Sequence, residues 1–270
     1  MTVSNVCRGL LASCLVLSAA AAFADPDQTR PGDCRGLPSY NKLKTALAAA
    51  VQAETSGLNN QMWGTLVNRD GVLCAVAFSG NHRAAQWPGS RVISAQKANT
   101  ANAFSLDSSS SSNGSGQAAG LALSTANLYS AVQPGGSLYG LQHSNPVDPE
   151  AAYKEPSAQY GTPNDPLVGS KVGGVNVFGG GLALYDSQRR VIGGLGLSGD
   201  TSCADHNIAW RVRHGLSLDF LSGVGGVSGD PARPDNIIFD IPPPPGVTAG
   251  GFGHPTCLNT GDPSMLPAVQ

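Results

Sequence analysis

Downstream of Ser39, apolar positions recur with helical spacing. Leu43, Leu47, Ala50 and Val51 form one stripe, and Ser39 is placed to cap the helix they predict. Two β-like apolar runs follow, Met62–Asn68 and Val72–Ser79, joined by Arg69-Asp70-Gly71. Asp-Gly between apolar runs predicts a hairpin, because glycine supplies the positive φ that a tight turn needs. A second helix is predicted over Val92–Phe104, where Ala95, Ala98 and Ala101 make a narrow face suited to close packing on a sheet. Leu121–Val132 reads as a third helix, stopped by Pro134-Gly135-Gly136. Three strand-like runs come next: Val172–Phe178, Gly181–Tyr185 and Arg190–Ser198, the last two joined by Asp186-Ser187-Gln188-Arg189. A final helix is predicted from about Cys203 to Phe220, with Ala204, Ile208, Val212 and Leu216 at helical spacing.

Hairpins with helices grouped between them predict an α+β domain on an antiparallel sheet, spanning 39–222. A Ser/Gly tract at 105–120 and a Pro-, Asp- and Ser-rich loop at 144–171 read as insertions, and 25–38 as an N-terminal arm. The Gly/Pro-rich residues 223–270 read as an extended C-terminal tail wrapping the domain. The G-x-G-x-x-G at 194–199 lies along a predicted strand and not after one, and there is no phosphate-binding loop and no G-x-S-x-G elbow, so nucleotide-binding and hydrolase templates have no support.

Residues 1–24 stand outside this pattern. Arg8, a following apolar run and Ala22-Phe23-Ala24 predict a secretory signal peptide cut after Ala24, and a periplasmic or secreted product. A lipoprotein box at Leu11–Cys14 is the weaker alternative, because it leaves almost no apolar core before the cut. No later run is long enough to span a bilayer. Removing the signal takes away Arg8 and no acid, moving the formal charge from −2 to −3. With no basic block, nucleic acid is not an expected partner. Cys34, Cys74, Cys203 and Cys257 remain, an even number that suggests two disulfides in an exported chain. Three pairings are open, of which Cys203–Cys257 and Cys34–Cys74 tie the tail and the arm to the core. Zinc is the competing use, but no two of the four are spaced C-x-x-C.

The stretch Val191–His206 runs from a glycine-spaced strand into a polar elbow. Ser198, Asp205 and His206 are poor candidates for a catalytic triad, because neighbours in sequence rarely project towards one point. Ser202-x-x-Asp205 matches a capping box, and Asp205 in a first helical turn complements the helix dipole.

Asp70-Gly71, then Ile93-Ser94-Ala95-Gln96-Lys97-Ala98-Asn99-Thr100-Ala101, then Gly180–Leu184, then Val191–Gly199 with Asp205 six residues on, form an ordered series. In that series the chain resembles the GlcG/HbpS-like haem-binding, or haem-degrading, family over 39–222, outside the two insertions. The resemblance implies a profilin-like fold with a five-stranded antiparallel sheet, flanking helices and frequent homo-oligomers. It also implies haem or another tetrapyrrole as ligand. The chain departs from the family at Ala183, where proline is usual, at Asp200, where a second glycine is usual, and in its insertions and tail.

Against that background, His82, Arg83 and Trp87 stand out in one loop beside Arg91. A neutral imidazole can ligate haem iron, arginines can pair with propionates, and an indole can cover a porphyrin face. His143 is the second candidate iron ligand, while His214, near Arg211 and Arg213, is expected to face solvent. Lys97 and Thr100 lie one helical turn apart in the family block and could line a pocket. Alternatively, Thr100 bonds back to its helix and Lys97 snorkels. Ser198 and Gly199 open the elbow, whose free N–H groups could hold a propionate. Covalent c-type haem attachment is excluded, since C-x-x-C-H is absent. Asn113-Gly114-Ser115 matches a glycosylation acceptor inside the Ser/Gly tract. Three functions are therefore expected in order: non-covalent haem or tetrapyrrole binding; a lyase, isomerase or haem-degrading enzyme using Lys97 or Asp205; and a non-catalytic assembly or sensory subunit.

Overall fold

The computed structural model describes residues 1, 32–107, 120–242 and 248–270. The expected signal peptide, Asn113–Ser115 and most of the Ser/Gly tract lie outside the described residues.

The helix predicted after Ser39 is α1 (Tyr40–Ala53), and the Ser39 hydroxyl accepts from the Lys42 amide at its start. Strands β1 (Trp63–Asn68) and β2 (Leu73–Phe78) form the predicted antiparallel hairpin, with Gly71 at φ +77° in the turn. Helix α2 (Ser90–Ala103) follows. β4 (Gly181–Tyr185) and β5 (Val191–Ser198) make the second antiparallel pair, and β5 pairs antiparallel with β1. The sheet order is β2-β1-β5-β4. Helix α4 (Ser202–Gly215) ends earlier than predicted, with Leu216 at its C-cap. The remaining elements are short: β3 (Leu121–Ala122), α3 (Pro149–Ala152) and β6 (Gly225–Gly226).

The main sheet thus has four strands among the described residues, where five were expected. Val172–Phe178 supplies only a single bridge, Val147 to Gly173. Gly173 and Gly174 take φ values of +68° and +78°, which turn the chain away from extension. The segment is held across α2 instead, with Asn99 donating to the Gly174 carbonyl and the Asn176 amide donating to Thr100 Oγ1. The helix predicted at Leu121–Val132 is also absent. There the Ser124 amide donates to Asn127 Oδ1 and the Asn127 amide to Ser124 Oγ, so side chains take the backbone groups a helix would use. Two residues of β3 pair parallel with β6 instead.

Alternation along the strands splits the core into two layers. Met62, Leu66, Leu195 and Leu197 face α1 and α4, joining Leu43, Leu47, Ile208 and Trp210. Trp63, Val67 and Val76 face α2, joining Val92, Ala95 and Ala98. The predicted small face of α2 meets an equally small stripe on β5. A Cβ built on Gly196 collides with the Ser94 carbonyl oxygen, and one built on Gly194 with the Ala98 carbonyl oxygen. Gly196→Ala must therefore lift a helix backbone off the sheet, at a cost of about 3 kcal/mol or more. Urea unfolding checks this, with Gly215→Ala as control. Nothing lies within 4 Å of that position, so the control should leave stability equal or slightly raised.

Both expected disulfides are present. Cys34–Cys74 ties the segment before α1 to β2, and Cys203–Cys257 ties the tail to the start of α4. The tail is also docked by polar contacts: Trp210 Nε1 donates to the Pro267 carbonyl (2.9 Å), and Arg213 Nη1 to Asp235 Oδ2 (2.6 Å) in a fully buried pair. The loop at 144–171 belongs to the core, since it buries Leu167 and sets Asp165 on Arg91.

Candidate functional site

Lys97 and Thr100 leave α2 one turn apart, but only Lys97 reaches a charged partner. Its Nζ lies 2.6 Å from Asp205 Oδ2 and donates to the Leu197 carbonyl at 3.0 Å. Both side chains are essentially inaccessible, 0% and 1% exposed, so Lys97 does not snorkel. The Phe178 ring covers the ammonium at 4.5 Å. Desolvation pushes the Asp205 carboxyl up to about 6, against the pull of Lys97, and draws the Lys97 ammonium below its ordinary value. At neutral pH the two form an ion pair. Thr100 donates to its own helix at the Gln96 carbonyl, the alternative allowed from the sequence.

Glycine makes this centre possible. A Cβ on Gly180, which has φ +115°, would press on Asp205 Cβ and Lys97 Nζ, at 3.0 and 3.1 Å. The turn before β4 therefore closes directly onto the pair.

The elbow after β5 also serves the fold. The cap of α4 is Thr201, whose hydroxyl accepts from the Ala204 amide, rather than Ser202. Asp205 Oδ1 accepts from the Asp200 amide at 2.8 Å, and Asp200 accepts from Leu58, Asn60 and Thr201. The amides of Asp200 and Thr201, expected to be open to an anion, are filled by the chain's own carboxylates. Ser198 pairs with Trp63 across the sheet, and the Gly199 carbonyl accepts from Gln86 at 2.6 Å.

Two buried histidines flank this region, His206 from the elbow and His254, which no sequence motif flags. His206 is fully buried, with Nε2 beside Asn236 Oδ1 and the Ile237 amide. His254 comes from the tail, with Nδ1 donating to the Pro255 carbonyl (2.7 Å) and Nε2 3.1 Å from Ser202 Oγ. Burial pulls both imidazoles down to about 4, so both are neutral.

The His82 loop borders a small cavity of about 160 Å³, lined by Trp63, Arg83, Pro88, Arg91, Tyr153 and Tyr160. Arg91 is committed there to Asp165 and stacks on Tyr160 at 3.5 Å. Trp87 is exposed, as is His82, whose Nδ1 accepts from the Ala84 amide. That bond places the imidazole proton on Nε2, so iron ligation through Nε2 requires a tautomer change. His143 is exposed on a separate loop.

A much larger groove, about 960 Å³, runs between α1 and the end of α4. Ala46, Ala49, Leu216 and Leu218 form part of its apolar wall; Lys42 supplies charge, and Arg211 is paired with Glu54 Oε2 at 3.3 Å. His214 also lines it, 42% exposed, with Nδ1 2.7 Å from Asp219 Oδ2. Donation from Nδ1 to a buried carboxylate orients the ring. His214 is part-exposed, in keeping with the expectation that it faces solvent, and is oriented by Asp219. Its partner, five residues on past the helix end, carries no pattern that marks it in sequence.

Solved structures align with the chain over most of their own length. One is a Klebsiella pneumoniae protein, ORFY, assigned to DUF336: 25% identity, 65% of this chain and 88% of that one covered, TM-score 0.40. Another is a PduOC:heme complex: 23% identity, 65% and 89% covered, TM-score 0.41. No curated protein matches the chain. The family described as haem-degrading protein HbpS-like matches residues 40–213, well over half of the sequence. The chain belongs to the HbpS-like family.

Proposed function

We propose that the protein is exported and binds haem, or a related tetrapyrrole, non-covalently in the groove between α1 and α4, within a profilin-like domain. The observation that carries this is His214, oriented by Asp219 on the wall of a groove of about 960 Å³. Pockets for ligands of drug size span roughly 300–1,000 Å³, so the groove admits a macrocycle and the 160 Å³ cavity does not. Apolar walls suit the porphyrin faces, Lys42 can pair with a propionate, and His214 Nε2 can take the iron. Haem would supply the site's redox chemistry when bound. Membership of a family described as haem-degrading supports the ligand class. Two disulfides support an oxidising compartment, and no described helix is long and apolar enough to cross a membrane.

The His82 loop is the competing seat, with Arg83 at its cavity and Trp87 exposed beside it. Haemin titration decides between them. The wild type should give a saturable Soret shift at one equivalent, weakened about tenfold or more by His214→Ala and left unchanged by His82→Ala. The reverse pattern moves the ligand to the His82 loop, and no saturable shift rejects tetrapyrrole binding. The enzymatic reading is checked on the same complex. A Soret band lost faster than that of free haemin, under reductant and oxygen, establishes degradation.

A further inference from the structure

The tail anchor brings together more ligand chemistry than a disulfide needs. Cys203 Sγ, Cys257 Sγ and a ring nitrogen of His254 lie within 4.8 Å of one another. We propose that this cluster is a redox-gated metal site: a disulfide when oxidised, and a Cys2His site for Zn2+ when reduced. Neighbouring ligands on tetrahedral zinc sit roughly 3.3–3.8 Å apart, given Zn–S near 2.3 Å and Zn–N near 2.0 Å. Breaking the S–S bond lets the sulfurs relax to that separation without moving either chain segment far.

The supporting shell is already in place. His254 Nδ1 donates to the Pro255 carbonyl at 2.7 Å, which leaves Nε2 as the ligating nitrogen. Cys257 Sγ accepts from the Cys203 amide at 3.2 Å, and Ser202 Oγ lies 3.5 Å from it. Cys203 sits in the first turn of the 14-residue helix α4, where the dipole favours a thiolate. Ser202 Oγ, 3.1 Å from Nε2, or a water completes four ligands. Cys203 and His254 are buried while Cys257 is part-exposed, which gives reductant and metal one approach. Cys34–Cys74 has no histidine in such a cluster among the described residues.

The chemistry balances with a dithiol reductant. Two electrons break the Cys203–Cys257 bond, giving two thiols and the oxidised, cyclic disulfide of the reductant. Zn2+ then takes two thiolates and His254 Nε2, and two protons leave.

The test titrates Zn2+ anaerobically into full-length protein, oxidised or reduced and desalted, against a chromophoric zinc chelator. Reduced wild type should take up one Zn2+ that oxidised protein does not. Co2+ in its place should give a thiolate charge-transfer band. His254→Gln should weaken Zn2+ uptake at least tenfold, and Cys203→Ser/Cys257→Ser should abolish it. Cys34→Ser/Cys74→Ser should retain it. If reduction alone unfolds the chain, Zn2+ should restore the folded circular-dichroism spectrum. No uptake on reduction, uptake indifferent to His254→Gln, or a reduced chain that zinc neither binds nor refolds overturns the proposal.

Discussion

Asp205→Asn is expected to remove about 3–5 kcal/mol of stability at pH 7, because it strands the Lys97 ammonium in a site with no access to water. The amide is nearly isosteric and can still accept from the Asp200 amide, so the loss isolates the charge and not the elbow hydrogen bond. Lys97 would keep only the Leu197 carbonyl and the Phe178 ring, neither of which neutralises it. Lys97→Met should cost less, since Asp205, already raised to about 6, then takes up a proton. Lys97→Met/Asp205→Asn should recover most of the loss of Asp205→Asn, because a buried pair replaced by neutral groups of similar shape is often close to neutral in energy. Urea unfolding of the four proteins measures this cycle. A loss below about 1 kcal/mol for Asp205→Asn would mean that water reaches the pair.

How much of this was legible beforehand depends on whether a signal was local. Asp70-Gly71 predicts its hairpin because the turn chemistry is held in two residues. Ala95 and Ala98 on one helix, with Gly194 and Gly196 on one strand, similarly announce a close contact before its register is known. Val172–Phe178 has a strand's composition, but Gly173 and Gly174 and two α2 side chains, Asn99 and Thr100, settle its path. At Leu121–Val132 the apolar spacing misleads, since Ser124, Thr125 and Asn127 bind the backbone or reach distant partners. Thr125 Oγ1 accepts from the Gly181 amide, 56 residues away.

The same distinction governs the site. The motif singles out Lys97 and Asp205 as separate candidates, yet not as partners 108 residues apart. Their burial goes with the glycine turn at 179–181, where a Cβ on Gly180 would meet Asp205 Cβ and Lys97 Nζ. The cysteines were legible because their even number and the candidate leader constrain them. His254 was not, because its role depends on Cys203 and Ser202 arriving from another element. Arg211 and Arg213 point to a solvent-facing His214, and it is 42% exposed; its partner Asp219, past the helix end, has no local signal.

Acidification from pH 7 to 4 should destabilise the protein by about 3 kcal/mol net, with the buried histidines responsible. His206 and His254 titrate near 6.5 when unfolded and near 4 when folded. The unfolded chain therefore binds more protons across that window. A depressed folded value gives stability that is present above the unfolded value and lost as pH falls through the folded one. At about 1.4 kcal/mol per unit, each imidazole accounts for roughly 3 kcal/mol. Asp205 opposes them: raised from 3.8 to about 6, it favours the folded state at the acid end of its window and loses that contribution as pH rises. It offsets about one histidine, so the second sets the sign. Surrounding charges do not reverse it. Asp235 favours the charged form of His206 but is itself paired with Arg213, while Lys97 disfavours the charged form of His254. Asp186, Asp230 and Asp262, held below their ordinary values by partners such as Arg190, Arg233 and Ser264, extend the loss to lower pH. Urea unfolding at pH 4, 5, 6 and 7 should show stability climbing with pH. His254→Gln should flatten the climb, because Asp205 then opposes His206 alone. A wild-type profile that is level, or that rises on acidification, would mean that these imidazoles are solvated in the folded protein.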